Sequence, residues 1–215
     1  MKSIAYFLLL LLISCGNTKS NLTHHSAVSK VSDSITYGEF KPNVIPDYQL
    51  DGYQVDDAFE FETFFVLSAY AEGDLETSDN PVNWGDRLML IKNKSILFES
   101  KPVGDVYLYE PHFYGNSKNA RTIIICQLAY EYYFGGDVFL LEDGEISFLG
   151  NIDIDGPDSE TALTDIVQIS ENDETLNFHF KSDSLNFKPG NEDVRIPNTN
   201  IHYSYKNEKW LLNNK

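Results

Sequence analysis

Apolar and polar residues alternate with a period of two over most of this chain, the pattern of β-strands with one face in a core. From Phe59 onward, runs rich in Phe, Tyr, Ile and Val are separated by short turns. Leu88–Lys92 and Ser95–Phe98 flank Asn93-Lys94, and Val138–Glu142 and Glu145–Leu149 flank Asp143-Gly144. Asp-Gly between alternating strands is among the strongest short signals for a type I′ hairpin. Ile166–Ser170 and Thr175–Phe180 flank Asn172-Asp173, and Ile201–Tyr205 and Lys209–Leu212 flank Asn207-Glu208. These hairpins predict an antiparallel meander, and no long segment carries a helical period. The expected fold class is all-β, a sandwich or barrel-like domain.

An internal echo qualifies that picture. Gly85–Phe98 aligns with Gly135–Phe148 at a shift of 50, and each copy follows an expected long strand, Thr63–Ala71 and Thr122–Phe134. The first copy carries an added loop, about 72–84. Small propeller-like blades are the alternative reading. Two copies do not close a propeller, and strand–turn–strand modules of any meander resemble one another, so the sandwich or barrel is preferred.

The first fifteen residues follow a different pattern. Lys2 precedes a nearly unbroken apolar run, Ile4–Ile13, that ends in Leu12-Ile13-Ser14-Cys15. At about ten residues the run is half of what a membrane-spanning helix needs, but it suits the apolar region of a cleaved secretory signal. The segment resembles the signal peptide and lipobox of bacterial lipoproteins. That resemblance covers the N-terminus alone, and it implies cleavage before Cys15 and lipidation of Cys15. Several acyl chains, each buried methylene contributing about 0.8 kcal/mol, would make the membrane anchor durable. Gly16 is not the Asp of inner-membrane retention, and Gly16–Ser20 lacks the acidic run carried by many Bacteroidota surface lipoproteins. The resemblance thus favours an outer-membrane lipoprotein on the periplasmic face. The expected divisions are a signal peptide (1–14), a lipidated cysteine and flexible tether (15–35) and a single β-rich domain (36–215). His24-His25 in the tether reads as solvated spacer.

Charge narrows the partners. The net charge is −17 with a pI near 4.5, and no Lys/Arg cluster forms the basic footprint that nucleic acid requires. Nucleic acid is excluded. Aromatic residues make up 13% of the chain, enough with the aliphatics to argue against disorder. Lipidation would consume one of the two cysteines, leaving Cys126 without a disulfide partner. Cys126 alternates with Ile124 and Leu128 on one strand face, as a buried, inert thiol does.

Three sets of residues could carry chemistry. Asn151, Asp153, Asp155 and Ser159 place oxygen donors along a loop with Gly156, and the first half resembles Ca²⁺ loops of EF-hands and FG-GAP-type propeller repeats. The match then falters, with Pro157 and Ala162 at positions where an EF-hand supplies ligands; a plain acidic connection explains the residues equally well. Trp84, Tyr107, Tyr109, Tyr132 and Tyr133 could stack on a sugar or line a pocket, although such rings are more often core. Tyr132 and Tyr133 cannot both face inward on a regular strand. Glu110 and His112 flank Pro111 and could share a strand face as a carboxylate–imidazole pair. Asp33-Ser34-Ile35 and Asp183-Ser184-Leu185 match a short O-glycosylation signal of some Bacteroidota.

No established catalytic motif is present. The expected role is a non-enzymatic binding or accessory module of the cell envelope, engaging a protein or glycan through sheet faces and loops 72–84 and 150–162. The alternatives are a small-ligand-binding β-barrel and a hydrolase acting on envelope polymers.

Overall fold

Strand β8 (Thr122–Ala129) fixes the layering, because all eight of its residues are buried. A strand with one solvated face alternates; one that reads Thr-Ile-Ile-Ile-Cys-Gln-Leu-Ala needs a partner on each side. The computed structural model describes residues 34–71, 84–104, 106–158, 160–187 and 194–214. The signal peptide, Cys15, nearly all of the tether, most of loop 72–84 and Ser159 lie outside the described residues.

The fold is all-β and antiparallel throughout. A five-stranded sheet contains β2 (Asn43–Val44), β3 (Tyr53–Phe61), β4 (Phe64–Ala71), β5 (Asp86–Lys92) and β6 (Ser95–Glu99) in chain order. Next come β7 (Leu108–Gly115), β8, β9 (Tyr133–Glu142) and β10 (Glu145–Ile152), a second meander. A third group comprises β12 (Val167–Asn172), β13 (Thr175–Phe180), β16 (His202–Lys206) and β17 (Lys209–Asn213). Strand β1 (Ile35–Phe40) joins the second and third groups into one nine-stranded sheet, pairing through Ile35–Tyr37 with β12 and through Gly38–Phe40 with β7. A small separate sheet of β11 (Ile154–Asp155), β14 (Ser184–Phe187) and β15 (Val194–Pro197) and a four-residue helix, α1 (Leu163–Ile166), pack into the core of the nine-stranded sheet through Ile154, Leu185, Leu163 and Ile166.

The nine-stranded sheet curls until its two edges nearly meet. Trp210 on β17 lies over Gly150 on β10, where an added Cβ would fall 2.5 Å from the ring. The indole N–H donates to the Asn151 carbonyl at 3.0 Å, and Tyr203 stacks on the ring at 5.2 Å. The enclosed core holds Ile123, Ile125, Ile152, Leu163, Ile169 and Phe178. The opposite face of β8 presents Ile124, Cys126 and Leu128 to a second core, shared with Val66, Leu88 and Leu90 of the five-stranded sheet. There Phe113 meets Phe59 edge-on at 4.8 Å. Cys126 is fully buried as expected, and burial pushes its thiol well up. At the seam around β1, the Glu171 carboxylate is buried, but it accepts from Tyr37 at 2.7 Å and pairs with Arg121 at 2.7 Å. Such pairing is what makes a buried charge tolerable.

Several sequence expectations shift. The third hairpin turns at Asp173-Glu174 rather than Asn172-Asp173, with both turn residues in the left-handed region and Asn172 still paired to Thr175. The expected long strand Thr122–Phe134 breaks at Tyr130–Tyr132, and β9 begins at Tyr133 and passes through Gly135-Gly136. β3 starts before Phe59, at Tyr53. The echo has a structural counterpart, because Gly85 (φ 124°) and Gly135 (φ 87°) both set carbonyls, of Val103 and Ile152, about 2 Å from where a Cβ would stand. Yet its copies lie in facing sheets, and β1 hydrogen-bonds successive modules into one sheet, which propeller blades do not do.

Closure through Trp210 is testable. Trp210→Ala should lower the unfolding free energy by about 2–3 kcal/mol, and Trp210→Phe by about 1 kcal/mol through the lost indole hydrogen bond. Urea melts of both variants measure this; a wild-type midpoint for Trp210→Ala would mean the two edges close without it.

Candidate functional site

A β-bulge in β3 builds the most distinctive surface. Val55 pairs with Ala69 and Asp57 with Ser68, leaving Asp56 as the extra residue. A bulge reverses the in–out phase of a strand. Tyr53 and Val55 lie against the core on the outer side of the five-stranded sheet, and Ala58 takes that side after the bulge. Gln54, Asp56 and Asp57 therefore all fall on the side facing β7. The cross-strand row Gln54–Tyr70–Asp86 continues this polar rim, while Val66 and Leu90 farther along the same face enter the shared core.

The sandwich thus opens at one end into a groove of about 630 Å³ lined by Asp56, Asp57, Tyr70, Asp86, Tyr107 and Glu110, among others. It continues into a hollow of about 580 Å³ that adds Trp84, Tyr130 and Glu131. On the β7 side the wall is an edge, since β1 pairs only with Phe113–Gly115. Pro111, lacking an N–H, suits this unpaired stretch. Tyr107 is 82% exposed, and Tyr130 stacks flat on Phe134 at 4.5 Å. Trp84 lies against Gly104, where a Cβ would come within 3.3 Å of the ring.

Carboxyl groups dominate the electrostatics. Asp56 and Asp86 lie close enough to perturb each other's ionisation. Burial first, and the Asp56 charge second, push Asp86 up to about 6. Two neighbouring carboxylates cannot both ionise freely. Arg87, the adjacent residue on β5, turns to the other face of the strand and forms an ion pair with Glu99.

The sequence candidates divide accordingly. Trp84, Tyr107 and Glu110 come together at the groove. Tyr109 is buried beneath it, its hydroxyl 3.5 Å from Asp137. Tyr132 and Tyr133 are half-buried, at the turn before β9 and its start, so the regular strand on which they would have opposed each other is absent. His112 shares a face with Glu110 as expected, but its Nδ1 is 2.9 Å from Glu39 and its Nε2 3.7 Å from Glu110, so both ring nitrogens face carboxylates. Asp56, Asp57, Tyr70, Asp86 and Glu131 were missed by sequence reasoning. A signal did exist, in the phase break between Val55 and Ala58.

Within the proposed Ca²⁺ loop, Asn151 and Asp155 are engaged by the protein itself. The Asn151 amide donates to Gly136 and Asp137, and Asp158 caps Glu160 and Thr161. Asp155 turns inward to accept the Gly135 N–H at 2.6 Å. Among the described residues, no three His, Cys, Asp or Glu side chains are arranged to hold a metal ion. Ser159 lies outside them.

Comparisons with known proteins add no template. No family model matches the chain, and neither the curated proteins nor the solved structures yield a match.

Asp155 generates a pH prediction. It is 2% exposed, and its second carboxyl oxygen makes no hydrogen bond. Burial, offset in part by the Gly135 N–H, pushes it up to about 7. The folded protein then holds a proton that the unfolded chain releases near pH 4. Its contribution to stability is full below that pH and is lost as pH rises through 7. From pH 4 to 7.5, Asp155→Asn should gain on the wild type by on the order of 3–4 kcal/mol. Urea melts at both pH values measure it, and a pH-independent difference would disprove the assignment.

Proposed function

We propose that this chain is an outer-membrane-tethered lipoprotein, anchored through Cys15 on the periplasmic face, whose β domain is a non-enzymatic binding or accessory module of the cell envelope. The binding surface in this reading is the aromatic and acidic groove between the five-stranded sheet and β7. One observation carries it: the exposed ring of Tyr107 stands with Trp84 and Tyr130 beside partly buried carboxyls in a concave surface. Sites for small ligands and glycans combine such features.

Binding is favoured over hydrolysis because the hydrolase candidates do not form an isolated acid–base pair: the His112 ring lies between two carboxylates, Glu39 at 2.9 Å and Glu110 at 3.7 Å. The small-ligand barrel draws less support, because Phe178, Phe180, Tyr203 and Trp210 contribute to a packed core inside the nine-stranded sheet.

In-cell crosslinking of the lipidated protein, followed by mass spectrometry, tests this reading. Wild type should capture one dominant envelope partner. The double variant Trp84→Ala/Tyr107→Ala should lose it while keeping its melting temperature, and Cys15→Ser should lose membrane attachment. Undiminished capture by the groove variant would move the binding surface elsewhere.

A further inference from the structure

The composition of the groove is more selective than its shape. Among the described residues, none that lines the groove or the adjoining hollow is Lys, Arg or His, whereas Asp56, Asp57, Asp86, Glu110 and Glu131 all line one or the other. This is a local concentration of negative charge beyond what solubility asks of a surface, since part of it is withdrawn from water. Asp86 is half-buried and Asp57 is half-buried, with the Ser68 hydroxyl 3.5 Å away. A neutral sugar would leave the repulsion between these carboxyls in place. A cation would relieve it.

The kind of cation follows from the walls. A small, strongly hydrated metal ion needs several oxygen donors converging on one point, and among the described residues no three His, Cys, Asp or Glu side chains are so placed. An ammonium group carried on an organic body needs less. It can lie over the faces of electron-rich rings, which attract it through their quadrupoles, and donate to carboxylates while its carbon skeleton covers apolar surface. Trp84, Tyr107 and Tyr130 supply the rings, and Val106 supplies an apolar contact. The volumes suit a ligand of side-chain to drug size.

We propose that the groove binds an organic ammonium ligand, its cationic head beside Asp56 and Asp86 and its body against Trp84, Tyr107 and Tyr130. This rests on the reading of the groove as the binding surface. It restricts the ligand to amine-bearing small molecules or groups.

The test is calorimetric titration of the full-length chain in detergent with cadaverine and spermidine, set beside an uncharged disaccharide and Ca²⁺. The amines should bind at 0.15 M salt while the disaccharide and Ca²⁺ do not. Asp86→Asn and Trp84→Ala should each weaken binding about tenfold or more, roughly 1.4 kcal/mol. Tyr107→Ala, at a residue 82% exposed, changes the groove without touching the core and should also weaken it. Binding of the disaccharide without the amines would overturn the cation proposal and leave the groove as the binding surface. No binding of any probe, with envelope crosslinking indifferent to Trp84→Ala/Tyr107→Ala, would overturn both. Amine binding unaffected by all three variants would place the ammonium elsewhere and refute the assignment.

Discussion

The burial of β8 on both faces is the constraint from which the remaining architecture follows. Ile123 and Ile125 close the core inside the curled nine-stranded sheet, while Ile124, Cys126 and Leu128 close the core against the five-stranded sheet. Neither layer could leave without stranding half of this strand in water, at a cost of about 25 cal/mol for each Å² of apolar surface. β7 is held beside it by a continuous ladder and β9 by one that shifts register only between Gln127 and Ala129. β1 then joins β7 to β12 in the middle of the large sheet, and Trp210 closes the curl where the two edges approach.

The groove arises where that packing ends. Along the face of the five-stranded sheet that meets β7, side chains run from Phe59, Val66 and Leu90 through Asp57 and Ser68 to Asp56, Tyr70 and Asp86. The bulge at Asp56 turns two consecutive aspartates to one side, which a regular strand cannot do. β1 leaves β7 at Phe113, so the opposite wall is an unpaired edge capped by Pro111. A recessed surface with partly desolvated carboxyls thus follows from three local departures from regular pairing.

The acidity of the chain has two physical meanings within one fold. Most of its charge is solvated and keeps the surface hydrophilic. A few carboxyls are drawn inward and treated differently: Glu171 is compensated by Arg121 and Tyr37, Asp86 faces another acid, and Asp155 retains one oxygen without a donor. The first stabilises the seam of the large sheet. The others are retained at a cost to stability near neutral pH.

Alternation and turn chemistry made the strands legible in advance. Asn93-Lys94, Asp143-Gly144 and Asn207-Glu208 all occupy the left-handed region that type I′ turns require, because hairpin pairing is local and a two-residue turn fixes its register. The third turn slipped by one residue, since Asn172, Asp173 and Glu174 satisfy similar local rules and only the pairing of Ile169 with Phe178 inside the core selects among them. The same run of apolar residues announced that β8 and Cys126 would be buried, but not that their two faces would serve different cores. Of the groove, Trp84, Tyr107 and Glu110 were legible as residues and not as neighbours. Their meeting with Asp56, Tyr70 and Asp86 joins segments more than 50 positions apart. Which edges stay unpaired, and where a bulge reverses a strand, are settled by non-local pairing energies that no short stretch of sequence contains. The sequence by itself determined the strands, most of their turns and the sign of the charge; the packing of sheet on sheet decided which of those charges face a cavity together.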